Sequence, residues 1–384
     1  MDAVSQNLLR LLRCAFHPAQ GGVVLSAGVW EAVCALAVRH HVQNLLACAA
    51  RGLDGAAAPP EKTAQTLRNA LMLTLAQGEI QNHAAEELLA AFEAKGVDVL
   101  AVKGVRTRLR YPDPVMRSVG DLDVLCRAED TAAARAVMAE LGYGAPREGR
   151  KHDFYSMPPY VEAELHRALL SPEMPWAGYY ENVWQRCHLR DGARHIYEMT
   201  PEDEAVFNLV HLAEHLLEGG AGIRFFADVY VYAHLEGLDR AYIARELETL
   251  GLTKLSETVS AIAERWFGDG AALSEAAAQL AELILAGGAF GTAEQSAALA
   301  ARSGRLAALS RAVFPGFRSM QSMFPWLEGR PLLLPYAWAL RAVRAALCRR
   351  DHVQDLISNA ARGSRAQGQA LAALYRACGL EVQE

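Results

Sequence analysis

Apolar residues recur three and four positions apart through residues 28–50 (GVWEAVCALAVRHHVQNLLACAA) and again through 62–95, and the breaker-rich run 52–60 divides the two stretches. That spacing predicts an α-helical segment over residues 1–95. After Lys95-Gly96 the pattern changes. VDVLAV is a short Val-rich run, and DLDVLC after Gly120 repeats its texture beyond a linker containing Pro112 and Pro114, so both predict strands. Helical stretches at 105–110 and 130–141 alternate with them, and Gly142 suits the position just past a helix end. HDFYSM (152–157) and VEAELH (161–166) predict two more extended pieces. In the second, a period of two puts Glu162, Glu164 and His166 on one face. From Thr200 onward the helical period returns, with Thr200 as N-cap, Pro201 at the first helical position and acids in the first turn. The whole predicts an α+β fold. A small mixed β-sheet of four or five strands lies within 96–195, preceded by the N-terminal helices and followed by a larger C-terminal helical domain over 196–384.

With 384 residues, 52% of them hydrophobic and 21% charged, the chain can bury a sizeable core and is neither a disordered tail nor a fibrous repeat. Its 38 Lys and Arg against 44 Asp and Glu give a formal charge of −6, which removes the broad positive field of a nucleic-acid binder; stable nucleic-acid binding is not expected. Seven cysteines without a CxxC pair point to reduced thiols in a cytoplasmic setting rather than to disulfides or a cysteine metal site. The first sixteen residues mix charges into their apolar run and lack the continuous apolar region of an export signal. The most apolar later stretch, residues 331–340 (PLLLPYAWAL), reaches Arg341 well before the ~20 residues that span a bilayer, so no membrane span is expected. That stretch is a candidate contact surface, and the oligomeric state is left open.

The candidate chemistry sits in residues 100–126, LAVKGVRTRLRYPDPVMRSVGDLDVLC. Asp121 and Asp123, two apart on a strand, aim from one face and repel each other. A divalent cation between them relieves that repulsion, and hard Mg²⁺ prefers carboxylate oxygens together with substrate phosphates. Glu164 on a neighbouring strand is the best third carboxylate, with Glu162 in reserve. Lys103-Gly104 ends the first strand ahead of a helix, where Gly104 lets backbone N–H groups approach a phosphate. Lys103 and Arg117 would add charge-assisted contacts to the same group.

The order of strand, Val102-Lys103-Gly104, helix, Tyr111-Pro112-Asp113-Pro114, Arg117, Gly120 to Leu125 and Leu141-Gly142-Tyr143 resembles the nucleotidyltransferase superfamily. It is similar above all to a branch of uncharacterised nucleotidyltransferases whose members read roughly LKG…YPDP..R..GD.DLLV…GY. Glu164-Leu165-His166 resembles that branch's acidic-x-His strand, and Arg224-Phe225-Phe226-Ala227-Asp228 a helix motif of its C-terminal section. The resemblance implies a polymerase-beta-like core and Mg²⁺-dependent transfer of a nucleoside monophosphate from a nucleoside triphosphate, ATP being the commonest donor, to a hydroxyl or phosphate of an acceptor. Pyrophosphate leaves. Asp121, Asp123 and Glu164 would be the catalytic residues and ligands of two Mg²⁺ ions, Glu164 also receiving the acceptor's proton, while Lys103, Gly104, Arg117 and Gly120 would face the nucleotide. The acceptor could be a small molecule, a peptide or a protein. Two features depart from the superfamily pattern: Lys103-Gly104-Val105 offers no hydroxyl at the turn, and the third acid is Glu where Asp is commoner.

Other signals point elsewhere. A chain that kept the sheet and lost activity would be a binding or scaffold protein, which the altered turn permits. His211, Glu214 and His215 match H-x-x-E-H, the inverted zinc-peptidase motif, with Glu257 or Glu264 as conceivable third ligands; the reading preferred here gives His211 and His215 to packing or the substrate pocket. Arg106, Arg108 and Arg110 read as a solvated or salt-bridged helix face. Asp228 reads as a buried acid fastening the helical part to the sheet, with Arg224 four residues earlier as its partner. Trp176, Trp184, Tyr179 and Tyr180 read as core anchors.

Overall fold

The computed structural model describes residues 1–20, 23–118, 120–149, 151–158, 161–270, 272–302, 314–327, 329–348 and 365–382. The N-terminal apolar period folds as α1 (Ala3–Phe16), α2 (Ala27–Arg39), α3 (Gln43–Arg51) and α4 (Glu61–Lys95). The Asp2 carboxylate caps α1 by accepting from the Ser5 N–H. The stretch 28–50 is two helices rather than one, because His41 takes a left-handed backbone with φ 56. Gly96, at φ 70, ends α4 and turns the chain into the sheet.

That sheet is built from β1 (Val99–Val102), followed by the short α5 (Gly104–Thr107), then β2 (Leu122–Cys126), α6 (Thr131–Glu140), β3 (Arg147–Glu148), β4 (His152–Met157), β5 (Val161–His166), α7 (Ala177–Tyr180), β6 (Cys187–Leu189) and β7 (Ile196–Met199). Strand order is β3-β4-β5-β2-β1-β7-β6. β2 runs parallel to β5 and antiparallel to β1, and β1 runs parallel to β7. The fold is thus mixed α+β, with seven strands where the sequence pattern predicts four or five. The additions are β3, β6 and β7, of two, three and four residues. Runs that short carry no readable period of two.

Beyond the sheet come α8 (Pro201–Glu218), α9 (Ile223–His234), α10 (Arg240–Thr249), α11 (Thr253–Phe267), α12 (Glu275–Ala286) and α13 (Ala293–Ala301), then helices Phe317–Met323, Leu334–Cys348 and Arg365–Ala377. Thr200 caps α8 through the Asp203 N–H, with Pro201 inside the first turn.

Each strand divides its side chains between two layers. Leu122, Val124 and Cys126 of β2 and Val161, Ala163 and Leu165 of β5 pack with Leu88, Phe92 of α4 and Val137, Met138 of α6. On the opposite face Leu100, Val102, Leu125 and Met199 join a core with α8 and α9, and that core also holds Leu8 and Leu11 of α1 with Ile262 and Trp266 of α11. Among the described residues no helix is long and apolar enough to cross a membrane. The 331–340 stretch forms a 3₁₀ turn, Pro331–Leu333, and the start of helix Leu334–Cys348, leaving Leu332 and Tyr336 exposed. Cys14, Cys34, Cys48, Cys126, Cys187 and Cys378 are free thiols.

Candidate active site

Strand register brings the acidic residues together. Asp123 lies opposite Val102 on β1 and opposite Glu164 on β5, while His166 pairs with Leu125 on one side and His152 on the other. Asp121 stands at the entrance to β2, two residues before Asp123 and on the same face. One carboxylate oxygen from each of Asp121, Asp123 and Glu164 falls within 4.8 Å of the others. His166 Nε2 sits behind them, 2.8 Å from Asp123 Oδ1 and 3.1 Å from Glu164 Oε2. Glu162, the reserve acid, points to solvent.

Lys103 carries the sharp turn that the sequence assigns to Gly104. Its backbone is at φ 56, ψ −125, a conformation that costs a non-glycine residue roughly 1–3 kcal/mol. The turn swings the Lys103 ammonium across the ends of β1 and β2, where Nζ donates to Asp123 Oδ1 at 2.8 Å. Gly104 follows as the first residue of α5, and its carbonyl accepts from Arg117 Nη1 at 3.3 Å. Gly120 borders the same cavity with open space above it, its carbonyl accepting from Gln81 of α4.

The electrostatics separate the three acids. Burial, reinforced by the Asp123 and Glu164 charges, pushes the Asp121 carboxyl up to about 7. Burial would raise Asp123 as well, but Lys103 and His166 outweigh it and hold Asp123 well below the ordinary carboxylate range. Glu164 is likewise held low against its burial by the His166 contact and Lys103. A carboxylate held low is a poor proton acceptor, which weakens the expectation that Glu164 takes the acceptor's proton. Lys103 is raised against its own burial by Asp123, Glu164 and Asp121.

A cavity of about 540 Å³ opens between this face of the sheet and helices α8 and α9. Lys103, Gly104, Arg117, Gly120, Asp121, Asp123 and Glu164 all border it, with Lys151 and His152 at one end and Arg224, Phe207 and Phe225 on the helical wall. Arg117 is already engaged. Its Nε and Nη2 donate to the two oxygens of Asp228 at 2.7 and 2.9 Å, and the Tyr111 hydroxyl donates to the same carboxylate at 2.7 Å. Asp228 therefore does fasten α9 to the segment after β1, but through Arg117 and Tyr111 rather than Arg224. A planar two-pronged guanidinium from the facing segment makes a better match than a side chain one turn away on the same helix. Arg224, left without an ion pair among the described residues, lies in the cavity with its guanidinium 5.5 Å from the Phe225 ring centre.

The arginines of 106–110 form the salt-bridged arrangement expected of them. Arg106 pairs with Glu198 and Glu204, and Arg110 with Glu204. Arg108 is buried instead against α4, near Asn82. Trp176 is buried and donates to the Leu250 carbonyl, Tyr180 packs on Phe207, and Trp184 stacks under Arg127; none of the three borders the cavity.

His211, Glu214 and His215 do border it, yet among the described residues they do not assemble a zinc site. The Glu214 carboxylate is taken by Lys151 Nζ at 2.8 Å and by His211 Nδ1 at 3.4 Å, and the two imidazoles meet each other at 3.2 Å. Glu264, a conceivable third ligand, faces His234 instead. Among the described residues, the groups whose donors converge closely enough for an ion are Asp121–Asp123–Glu164 and His152–Glu164–His166. The role of His152 was legible only as a pairing: HDFYSM and VEAELH form one antiparallel pair, which sets His152 beside His166 and Phe154 beside Glu164. Arg224 is a cavity cation without an ion pair among the described residues, and its sequence position suggests Asp228 as partner instead.

A model of a family described as uncharacterised nucleotidyltransferase matches residues 26–268, from α2 through α11. No curated protein and no solved structure matches the chain.

Proposed function

The chain belongs to the uncharacterised nucleotidyltransferase family, and on that premise we propose that it transfers a nucleoside monophosphate from a nucleoside triphosphate, ATP by preference, to a hydroxyl or phosphate of an acceptor held in the cavity. The observation that carries the reading is the convergence of Asp121, Asp123 and Glu164 around the one ammonium of Lys103, with the Asp121 carboxyl pushed up to about 7. Three acids clustered this closely, with Lys103 paired to Asp123, form a concentration of negative charge that divalent ions suit. Two Mg²⁺ ions held by these carboxylates would supply charge neutralisation at the transferring phosphoryl group.

The chain's own residues supply position. Arg224 is the side chain best suited to the triphosphate, being cationic, at the cavity wall and without an acid partner among the described residues, whereas Arg117 braces the wall behind it through Asp228. Lys103 orients Asp123, and Gly120, with open space above it, leaves the backbone approachable. In the reaction an acceptor oxygen bonds to the α-phosphorus, the bond from that phosphorus to the bridging oxygen breaks, and pyrophosphate leaves; the acceptor's proton passes to a site carboxylate and on to water. A cavity of about 540 Å³ lies within the range of small-molecule sites and also leaves room for a peptide or protein side chain as acceptor.

Calorimetric titration of Mg·ATP tests this. Asp121→Asn and Asp123→Asn are each expected to weaken binding by about 100-fold or more while the protein stays folded; unchanged affinity in either variant overturns the reading. The Lys103–Asp123 ion pair favours a second reading, a sheet kept as a binding module, because Lys103 already occupies one ligand. Nucleotide bound but never consumed across a broad acceptor panel would select that second reading.

A further inference from the structure

Glu164 takes part in two groups of converging donors, and the second is chemically unlike the first. Its carboxylate Oε2 is 3.1 Å from His166 Nε2 and 3.4 Å from His152 Nδ1, with the two imidazole centres 4.6 Å apart. Ligands about 2.0–2.2 Å from a small divalent ion lie roughly 3–3.5 Å from one another, so these separations are those of a coordination shell with little adjustment. His166 is fully buried behind the carboxylates, and His152 Nδ1 is a buried nitrogen that no hydrogen bond satisfies. A buried ring nitrogen without a hydrogen bond, beside a carboxylate and a second imidazole, is an arrangement a metal completes.

We propose that His152, Glu164 and His166 form a site for a divalent transition-metal ion of the Zn²⁺ type, adjoining the all-oxygen group of Asp121 and Asp123 and sharing Glu164 with it. Imidazole nitrogen suits borderline ions, while Mg²⁺ takes oxygen donors, so the two groups divide the ions by donor chemistry. Asp123 Oδ1, 2.8 Å from His166 Nε2, is a fourth donor within reach, and Lys103 Nζ on the same oxygen is the cation that an incoming ion displaces or joins. Strand pairing builds the site: β4 and β5 place His152 and His166 side by side at the end of the sheet that opens to the cavity. The site shares Glu164, and through its fourth donor Asp123, with the residues assigned to nucleotidyl transfer, but it needs neither triphosphate nor Asp121.

The test uses the full chain stripped of metal by a chelator. Zn²⁺ titrated by calorimetry in millimolar Mg²⁺ is expected to bind at about one ion per chain, to weaken by tenfold or more in His152→Ala, and to stay within a few fold of the wild type in Asp121→Asn. Pulsed EPR of the wild type loaded with one equivalent of Cu²⁺ in millimolar Mg²⁺ is expected to show coupling to imidazole ¹⁴N, a readout that needs no variant to fold. Absence of that coupling, or Zn²⁺ affinity unchanged by His152→Ala, overturns the assignment. Zn²⁺ binding that survives while Mg·ATP binding proves absent leaves this site standing and removes the nucleotidyltransferase reading instead.

Discussion

The two faces of the sheet are cut from the same strands and could hardly differ more. Toward α4 and α6, Leu122, Val124, Ala163 and Leu165 are each 5% exposed or less and belong to one apolar cluster. Toward α8 and α9 the alternate residues of those strands include Asp121, Asp123 and Glu164 beside a cavity, His166 buried behind them, and Leu125 in the second core. The contrast teaches where the stability for the charged face comes from. Acids held within 4.8 Å of one another repel, and the backing face keeps them in register regardless, because a slip of one residue would turn every apolar side chain outward and every charged one into the core.

Variants on either side sharpen or break that contrast. The largest expected effect is on the charged side but away from the acids: Arg117→Met leaves Asp228 buried without its two-pronged partner and should cost about 3–5 kcal/mol in denaturant unfolding. A variant that keeps its stability but binds Mg·ATP poorly would return Arg117 to the nucleotide, as the sequence alone suggests. Next, Leu165→Ala on the apolar side should lose roughly 2–5 kcal/mol while Mg·ATP affinity of the folded protein stays unchanged. A fall in affinity beyond a few fold would mean that the two faces are not independent.

The smallest effect is a gain. The Asp121 carboxyl is raised to about 7 from an unfolded value of 3.8, so the folded chain binds the extra proton and ionisation works against folding. That cost is absent below pH 4, grows as pH rises toward 7 and is constant above it. Metal-free Asp121→Asn should therefore match the wild type near pH 4 and exceed it above pH 7, by on the order of 1 kcal/mol once solvent screening is allowed for. Thermal melts at the two pH values check this. Addition of Mg²⁺ should raise the wild type toward the variant; a variant less stable than the metal-free wild type at pH 8 would contradict the electrostatic account.

Much of this architecture is legible in the residues themselves. HDFYSM and VEAELH are strands with the bounds their texture suggests, α8 starts at its Thr200 cap, and α6 is followed by Gly142 at φ 86. Short edge pieces such as Cys187–Leu189 escape because pairing with a neighbour, not local pattern, makes them strands. The acidic group is legible for a similar reason: Asp121, Asp123 and Glu164 each declare their face through a period of two. His152 does so less clearly, since its meaning depends on which residue lies across from it.

Local periodicity and residue type thus determined most of the elements, the split of β2 and β5 into an apolar and a charged face, and the identity of the acids, because those properties depend on neighbours within a few positions along the chain. Tertiary structure decided the rest. Arg117 rather than Arg224 holds Asp228, Lys103 rather than Gly104 bends the turn, and Glu214 meets Lys151 rather than a metal. Each of these is a contest among partners far apart in sequence, settled by which geometry satisfies a buried charge best, and distance in space is the one quantity that a linear string of residues does not carry.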